Sequence, residues 1–162
     1  MPDVVVPLTI RDLTTADLPA CAWSGSRLHL ASISRALDRA AQGEVDYLAV
    51  CPPSGLPVGL GGVDYAMYPE AGYLWQLDVH SALRSCGIGT ALIAAAEQRI
   101  RARGRRRAEL AVEEGNPRAR SLYQRLGYAA YGRKPDAWDE EAEDGSVRRY
   151  ETMCTLMRKA LQ

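Results

Sequence analysis

The run Leu77-Asp78-Val79-His80-Ser81-Ala82-Leu83-Arg84-Ser85-Cys86-Gly87-Ile88-Gly89-Thr90 constrains the fold more than any other part of the sequence. A short strand pattern passes into a glycine-bearing turn and opens at once into a helix, whose Leu92, Ile93, Ala96 and Ile100 recur on one face. Free backbone N–H groups at such a helix start bind anions. Glycine lets a ligand approach the main chain, and Arg84 adds a charged fork, so a pyrophosphate fits. Gly87 and Gly89 could equally make nothing more than a tight turn. A dinucleotide fingerprint would need a third glycine where Leu92 stands, and a Walker loop would need a Gly-Lys-Ser/Thr ending; neither is present.

Around this segment the period of the apolar residues switches repeatedly. Leu8 to Arg11 reads as a strand, Thr14 to Pro19 carries helix-start signals, and Leu30, Ile33, Leu37 and Ala41 mark a second helix ended by Gly43. Tyr47–Cys51 and Val58–Val63 flank the turn cluster Pro52-Pro53-Ser54-Gly55, and Tyr73–Val79 follows Pro69-Glu70-Ala71-Gly72, which predicts an antiparallel meander. Gly104 stops the motif helix. Glu109–Val112 is the next strand, Asn116-Pro117 caps and starts a helix that Gly127 ends, and Tyr128–Gly132 and Tyr150–Met157 close the order. The polar stretch Lys134–Val147, with acidic residues from Asp139 to Asp144, reads as a loop. This is an α/β layer pattern, expected to form one domain over residues 1–162, with a mixed, mostly antiparallel sheet flanked by about four helices.

Composition narrows the function. Twenty basic residues balance twenty acidic ones, so no overall field draws the chain to nucleic acid or an anionic membrane. The Arg101–Arg107 cluster could meet a phosphate, but reads first as a solvated helix end. Val4 to Leu8 is too short and lacks the basic lead of a signal peptide, and no apolar run reaches membrane-spanning length, so a cytoplasmic location is expected. Cys21, Cys51, Cys86 and Cys154 are scattered, with only His29 and His80 to join them; free thiols and no metal site are expected.

Arg84-Ser85-Cys86-Gly87-Ile88-Gly89 resembles the R/Q-x-x-G-x-G/A signature of the GNAT superfamily of acyl-CoA-dependent N-acetyltransferases. The likeness runs upstream through Leu77 and Val79. Downstream, Asn116-Pro117-Arg118-Ala119-Arg120-Ser121-Leu122-Tyr123-Gln124-Arg125-Leu126-Gly127-Tyr128 is similar to the family's N-x-x-A-x-x-L-Y-x-x-x-G-F/Y block. Ser81 stands where a proline is frequent, and Ser85 where glycine is often found.

The resemblance implies acetyl transfer from acetyl-CoA to a primary amine of a small molecule or protein. It implies that main-chain groups of Leu77 and Val79 hold the pantetheine arm, with the Val79 N–H near the thioester oxygen. The amides of Arg84, Ser85, Cys86, Gly87, Ile88, Gly89 and Thr90 would cradle the pyrophosphate, Asn116 would approach the pantetheine, and Tyr123 would protonate the departing thiolate. Tyr123 could instead simply pack between Leu122 and Leu126. For the general base, Asp78, which shares a strand face with Gln76, and Glu113, which follows the next strand, are candidates beside a water chain. His80 is not nominated. The acidic Asp139–Asp144 run could attract a polycationic acceptor or could simply be solvated. A non-catalytic acyl-CoA-binding module is the alternative function, and the resemblance leaves a homodimer open.

Overall fold

The computed structural model describes residues 2–162. In chain order the strands are β1 (Thr9–Asp12), β2 (Val45–Cys51), β3 (Gly59–Asp64), β4 (Ala71–Val79), β5 (Arg107–Glu113), β6 (Ala129–Glu141) and β7 (Val147–Ala160). The α-helices are α1 (Arg27–Ala41), α2 (Ile88–Ala102) and α3 (Pro117–Arg125), and a 3₁₀ segment spans Thr15–Ser24. One seven-stranded sheet has the order β1-β2-β3-β4-β5-β7-β6. All neighbours run antiparallel except β4 and β5, so the sheet is mixed and mostly antiparallel, as the family resemblance implies.

Strand alternation divides the core. Leu48 and Val50 of β2 point to the side where α2 buries Leu92, Ile93, Ala96 and Ile100. Tyr47, Ala49 and Cys51 point the other way, onto Ile33 and Ala36 of α1 and onto Cys21 of the 3₁₀ segment. Each helix therefore covers one face. Leu122 and Tyr123 of α3, and Leu126 at its C-terminal cap, pack on the α2 side. All four cysteines are free, and burial pushes the Cys21 thiol up to about 11. No helix among the described residues is long and apolar enough to cross a membrane.

Three local expectations differ from the structure. The first helical region is 3₁₀ rather than α; Pro19 lies inside it and cannot donate the backbone hydrogen bond an α-helix requires there. β3 begins at Gly59, with Val58 tied by its N–H to Val50 O at 2.8 Å. The largest difference is Lys134–Val147, which is not a loop: β6 and β7 continue as a hairpin to a turn closed by Ala142 N–H to Ser146 O at 2.8 Å. The polar residues there pair across the strands, Asp139 with Arg149 at 3.3 Å and Glu140 with Arg148 at 3.5 Å. Glu141 reaches Arg27 of α1 at 2.9 Å. The hairpin is thus tied to α1, and much of its acidic charge is already partnered.

Gly62 shows how tightly the α1 face is filled. A Cβ there would lie 2.4 Å from Cζ3 of Trp75, whose ring meets Tyr47 edge-on at 5.8 Å. Tyr47 is buried and backs the Trp75 ring. Gly62→Ala is expected to destabilise the fold by about 1–3 kcal/mol, as overpacking does. Urea denaturation reads this, and an unchanged midpoint would refute it.

Candidate active site

The site begins where the sheet parts. β4 pairs with β5 only through Ala71, Gly72 and Tyr73 against Arg107, Ala108 and Glu109. Beyond Tyr73, β4 stays with β3 as far as Val79, and β5 stays with β7 as far as Glu113. The two central strands diverge, leaving a cleft of about 550 Å³ on the α2 side. The His80 N–H donates to Val58 O at 2.8 Å, toward β3. By alternation, the main-chain N–H and C=O of Val79 and Leu77 point the opposite way, into the gap. They are strand edges without a strand.

A β-bulge on β4 sets this register. Leu60 pairs with Asp78 and Gly62 with Trp75, so Gly61 alone stands opposite Gln76 and Leu77. Gln76 has φ 55°, the left-handed conformation, which costs a non-glycine residue roughly 1–2 kcal/mol. Its side chain holds it there. The Tyr47 hydroxyl donates to Gln76 Oε1 at 3.0 Å, and Gln76 Nε2 donates to Ser32 Oγ of α1 at 2.9 Å. Both bonds place Gln76 on the α1 face, as the alternation with Asp78 predicts. Leu77 turns to the other face, against Gly61 and Leu92.

The cleft ends on the N-terminus of α2. Gly87, at φ 84°, is the residue before the helix and offers no side-chain cap, so the first N–H groups of Ile88, Gly89 and Thr90 have no intrahelical acceptor. The helix dipole adds partial positive charge there. Ser85 is also left-handed, at φ 64°, which gives a physical reason for glycine often occupying that place in similar sequences. Here the serine hydroxyl accepts a hydrogen bond from the Arg118 guanidinium of α3. Arg84, Arg118 and Arg125 line the wall, and Asp78 is the one acidic residue among those that line it. The site is built for an anion.

Most sequence-predicted residues meet in this one place. Leu77, Asp78, Val79, Arg84, Ser85, Gly87, Ile88, Gly89, Thr90, Asn116 and Tyr123 all line the cleft. Cys86 is exposed and does not line it. Glu113 does not line it either: its carboxylate accepts from the Tyr150 hydroxyl across the β5–β7 side. Asn116 Oδ1 caps α3 by accepting the Ala119 N–H at 3.2 Å, so its structural task and its place on the wall coexist. Tyr123 is largely buried beside Tyr128, ring centroids 6.2 Å apart, and burial raises its pKa above the ordinary phenol value. Burial also raises the Asp78 carboxyl, with the neighbouring Val79 N–H, His29 and Arg84 acting in the opposite sense.

Arg118 and Arg125 escape the sequence reading, although their spacing with Leu122 puts all of them on one face of α3. The Arg101–Arg107 cluster lies at the other end of α2, about 20 Å along the axis from Ile88. Its members bind the protein itself. Arg105 Nη1 donates to the carbonyls of Tyr65, Tyr68 and Ala71, and the Arg103 guanidinium stacks 4.0 Å from the Tyr65 ring centroid.

This geometry accompanies a clear family match. Residues 14–128 match the model of the acetyltransferase (GNAT) family, a span that contains α1, the cleft and α3. The chain belongs to the GNAT family. Solved structures share the fold. The ribosomal-protein-S18-alanine N-acetyltransferase from Escherichia coli aligns at TM-score 0.71 and 19% identity, over 96% of this chain and 95% of that one. PaiA N-acetyltransferase from Thermoplasma acidophilum, solved in complex with coenzyme A, aligns at TM-score 0.69 and 16% identity, over 95% and 99%. Nourseothricin acetyltransferase aligns at TM-score 0.60 and 23% identity, over 74% of this chain and 66% of that one; the GNAT chain described here thus spans slightly under two thirds of that relative.

Proposed function

We propose that this GNAT chain, acting over residues 1–162 as one catalytic domain, transfers the acetyl group of acetyl-CoA to a primary amine of a small molecule or protein. The observation that carries the reading is the parted β4–β5 seam, whose unpaired backbone leads to an arginine-lined helix N-terminus with Tyr123 on the wall. The residues suit the cofactor end to end. Arg84, Arg118 and the amides of Ile88, Gly89 and Thr90 would hold the pyrophosphate, while Leu77 and Val79 would pair with the pantetheine amides in place of a strand. Acetyl-CoA supplies an acetyl group activated as a thioester.

The protein's own groups cover the remaining needs. The Val79 N–H, directed into the gap, would donate to the carbonyl oxygen as negative charge gathers there. Tyr123, kept protonated by burial, would give its proton to the departing thiolate. Asp78, which lies on β4 at the parted seam, is the preferred proton acceptor for the amine; Glu113, which does not line the cleft, is the second candidate and would act through a water.

Calorimetric titration with acetyl-CoA, using coenzyme A as control, followed by thiol release over a panel of amines, tests the reading. Arg84→Ala and Arg118→Ala are each expected to weaken binding about tenfold, the scale of one charge-assisted hydrogen bond, with a smaller effect at high salt. Folded wild-type protein that binds neither ligand would overturn it. Binding without steady thiol release would point to an acyl-CoA-binding module instead.

A further inference from the structure

The face of the cleft strand turned away from the anion site carries a second set of polar groups, all directed at α1. Ser32 of α1 accepts from Gln76, and Gln76 accepts from Tyr47, so α1 and β2 are both fastened to the bulge of β4. His29 precedes Ser32 by three residues and shares its helix face. Asp78 follows Gln76 by two residues and shares its strand face. The helix therefore lays His29 toward Asp78 just as it lays Ser32 on Gln76. Both groups are half-buried, and their charges act on one another.

We propose that His29 and Asp78 form one proton-accepting pair on the acceptor side of the strand, held in place by the Ser32–Gln76–Tyr47 chain. The proposal rests on the acetyl-transfer reading and names the residues that prepare the amine. Asp78 also lines the cofactor cleft, so the pair spans the strand between the α1 face and the thioester position.

The balance is simple. An acceptor ammonium gives one proton to the pair, and the freed amine nitrogen forms a bond to the acetyl carbon. The carbon–sulfur bond breaks, its electron pair stays on sulfur, and the thiolate takes the Tyr123 proton. The bonded nitrogen gives up its second proton as the amide forms, and that proton restores Tyr123 through water; the pair releases the first proton to solvent, so the products are the amide, the free thiol and one proton. The other titratable groups acting on the pair are Arg84, from the turn after β4, and Tyr47, from β2. Arg84 supports the ionised carboxylate, whereas burial opposes charge on both members and brings their proton affinities together.

His29→Gln and Asp78→Asn are each expected to lower kcat about a hundredfold with the best amine of the panel, as loss of a general base does. The double variant should fall no further than the worse single one, because the two act as a unit. Acetyl-CoA affinity should stay within about twofold of wild type in His29→Gln, since His29 lies off the cofactor wall. The acid limb of kcat/KM should move to lower pH in that variant, where only the carboxylate remains to titrate. Tyr47→Phe tests positioning: kcat should fall about tenfold with the limb retained, as for a small misplacement.

A proton NMR titration of the His29 ring checks the pairing without turnover. In Asp78→Asn the His29 pKa should drop, because the carboxylate that favours its charged form is gone. An unchanged His29 titration, or wild-type kcat in His29→Gln, overturns the pair. Wild-type protein that fails to bind acetyl-CoA overturns the acetyl-transfer reading itself, so the two failures are distinct.

Discussion

Tyr123→Phe is expected to reduce turnover about a hundredfold while leaving acetyl-CoA affinity within about twofold. The ring contributes packing beside Tyr128, Leu122 and Leu126, and phenylalanine keeps that packing. What it removes is the one hydroxyl that α3 places on the cleft wall. An unprotonated thiolate is a good leaving group but also a good nucleophile, so without the proton the reverse attack competes with release. The pH profile follows from burial. Partial desolvation disfavours the phenolate, so the proton is held past the ordinary tyrosine value of about 10. Activity should therefore not decline on the alkaline side through loss of this proton. Thiol release measured by single-turnover kinetics separates the effects. A phenylalanine variant with wild-type turnover would return Tyr123 to a purely packing role.

The largest expected stability loss comes from Glu97→Ala. Glu97 is buried in α2, where its carboxylate accepts from the Tyr128 hydroxyl at 2.9 Å and from Lys159 Nζ at 2.9 and 3.2 Å. Those bonds join the helix that starts the anion site to β7 and to the chain leaving α3. Removing the carboxylate strands an ammonium and a phenol and leaves a void. A loss of about 3–5 kcal/mol is expected, the scale of breaking a buried pair. For a chain of this length that lowers the melting midpoint by on the order of 10 °C. Calorimetry measures it, and a shift of less than about 3 °C would mean that the pair is solvated or replaceable. Because Lys159→Ala alone leaves Glu97 charged and buried, it should cost a similar amount, and the double replacement less than the sum.

How far the sequence foretells this molecule depends on how local each signal is. The α2 start is legible because Gly87 and Gly89 interrupt one period and begin another within a few residues. α3 is legible because Asn116 and Pro117 mark its first turn, and in the structure Asn116 is the N-cap and Pro117 the first helical residue. The β6–β7 hairpin is not legible beyond Gly132. Strand alternation is normally seen as one dry face, but here both faces are wet and the pairing partners are Arg148 and Arg149 with acidic residues ten or fewer positions away. The same polar composition that suggests a loop holds the strands together.

The site divides along the same line. Residues contributed by one continuous segment, from Leu77 to Thr90, can be read in order, but the parting of β4 from β5 depends on strands separated by the whole of α2. No residue of β4 announces it. Gln76 reads as an ordinary polar strand residue, and its left-handed backbone becomes intelligible only once Tyr47 and Ser32 are seen to grip its side chain. Arg118 and Arg125 sit among other arginines of a charged helix, so only the folded arrangement distinguishes the ones that face the cleft.

The short β4–β5 seam also has a mechanical meaning. Within the sheet, three residues on each strand are all that pair β1 to β4 on one side with β5, β7 and β6 on the other, while α2 packs across both. Bending a continuous sheet at that line would break a ladder; here there is little ladder to break. A change in the angle between the two halves would have its axis near Tyr73 and Glu109 and its greatest travel at Val79 and Glu113, and the α2 packing would resist it. The Arg27–Glu141 ion pair, joining α1 on the first half to the hairpin on the second, lies across that travel. Widening the angle would stretch that pair, so Arg27 and Glu141 hold the α1 side of the parted strands closed.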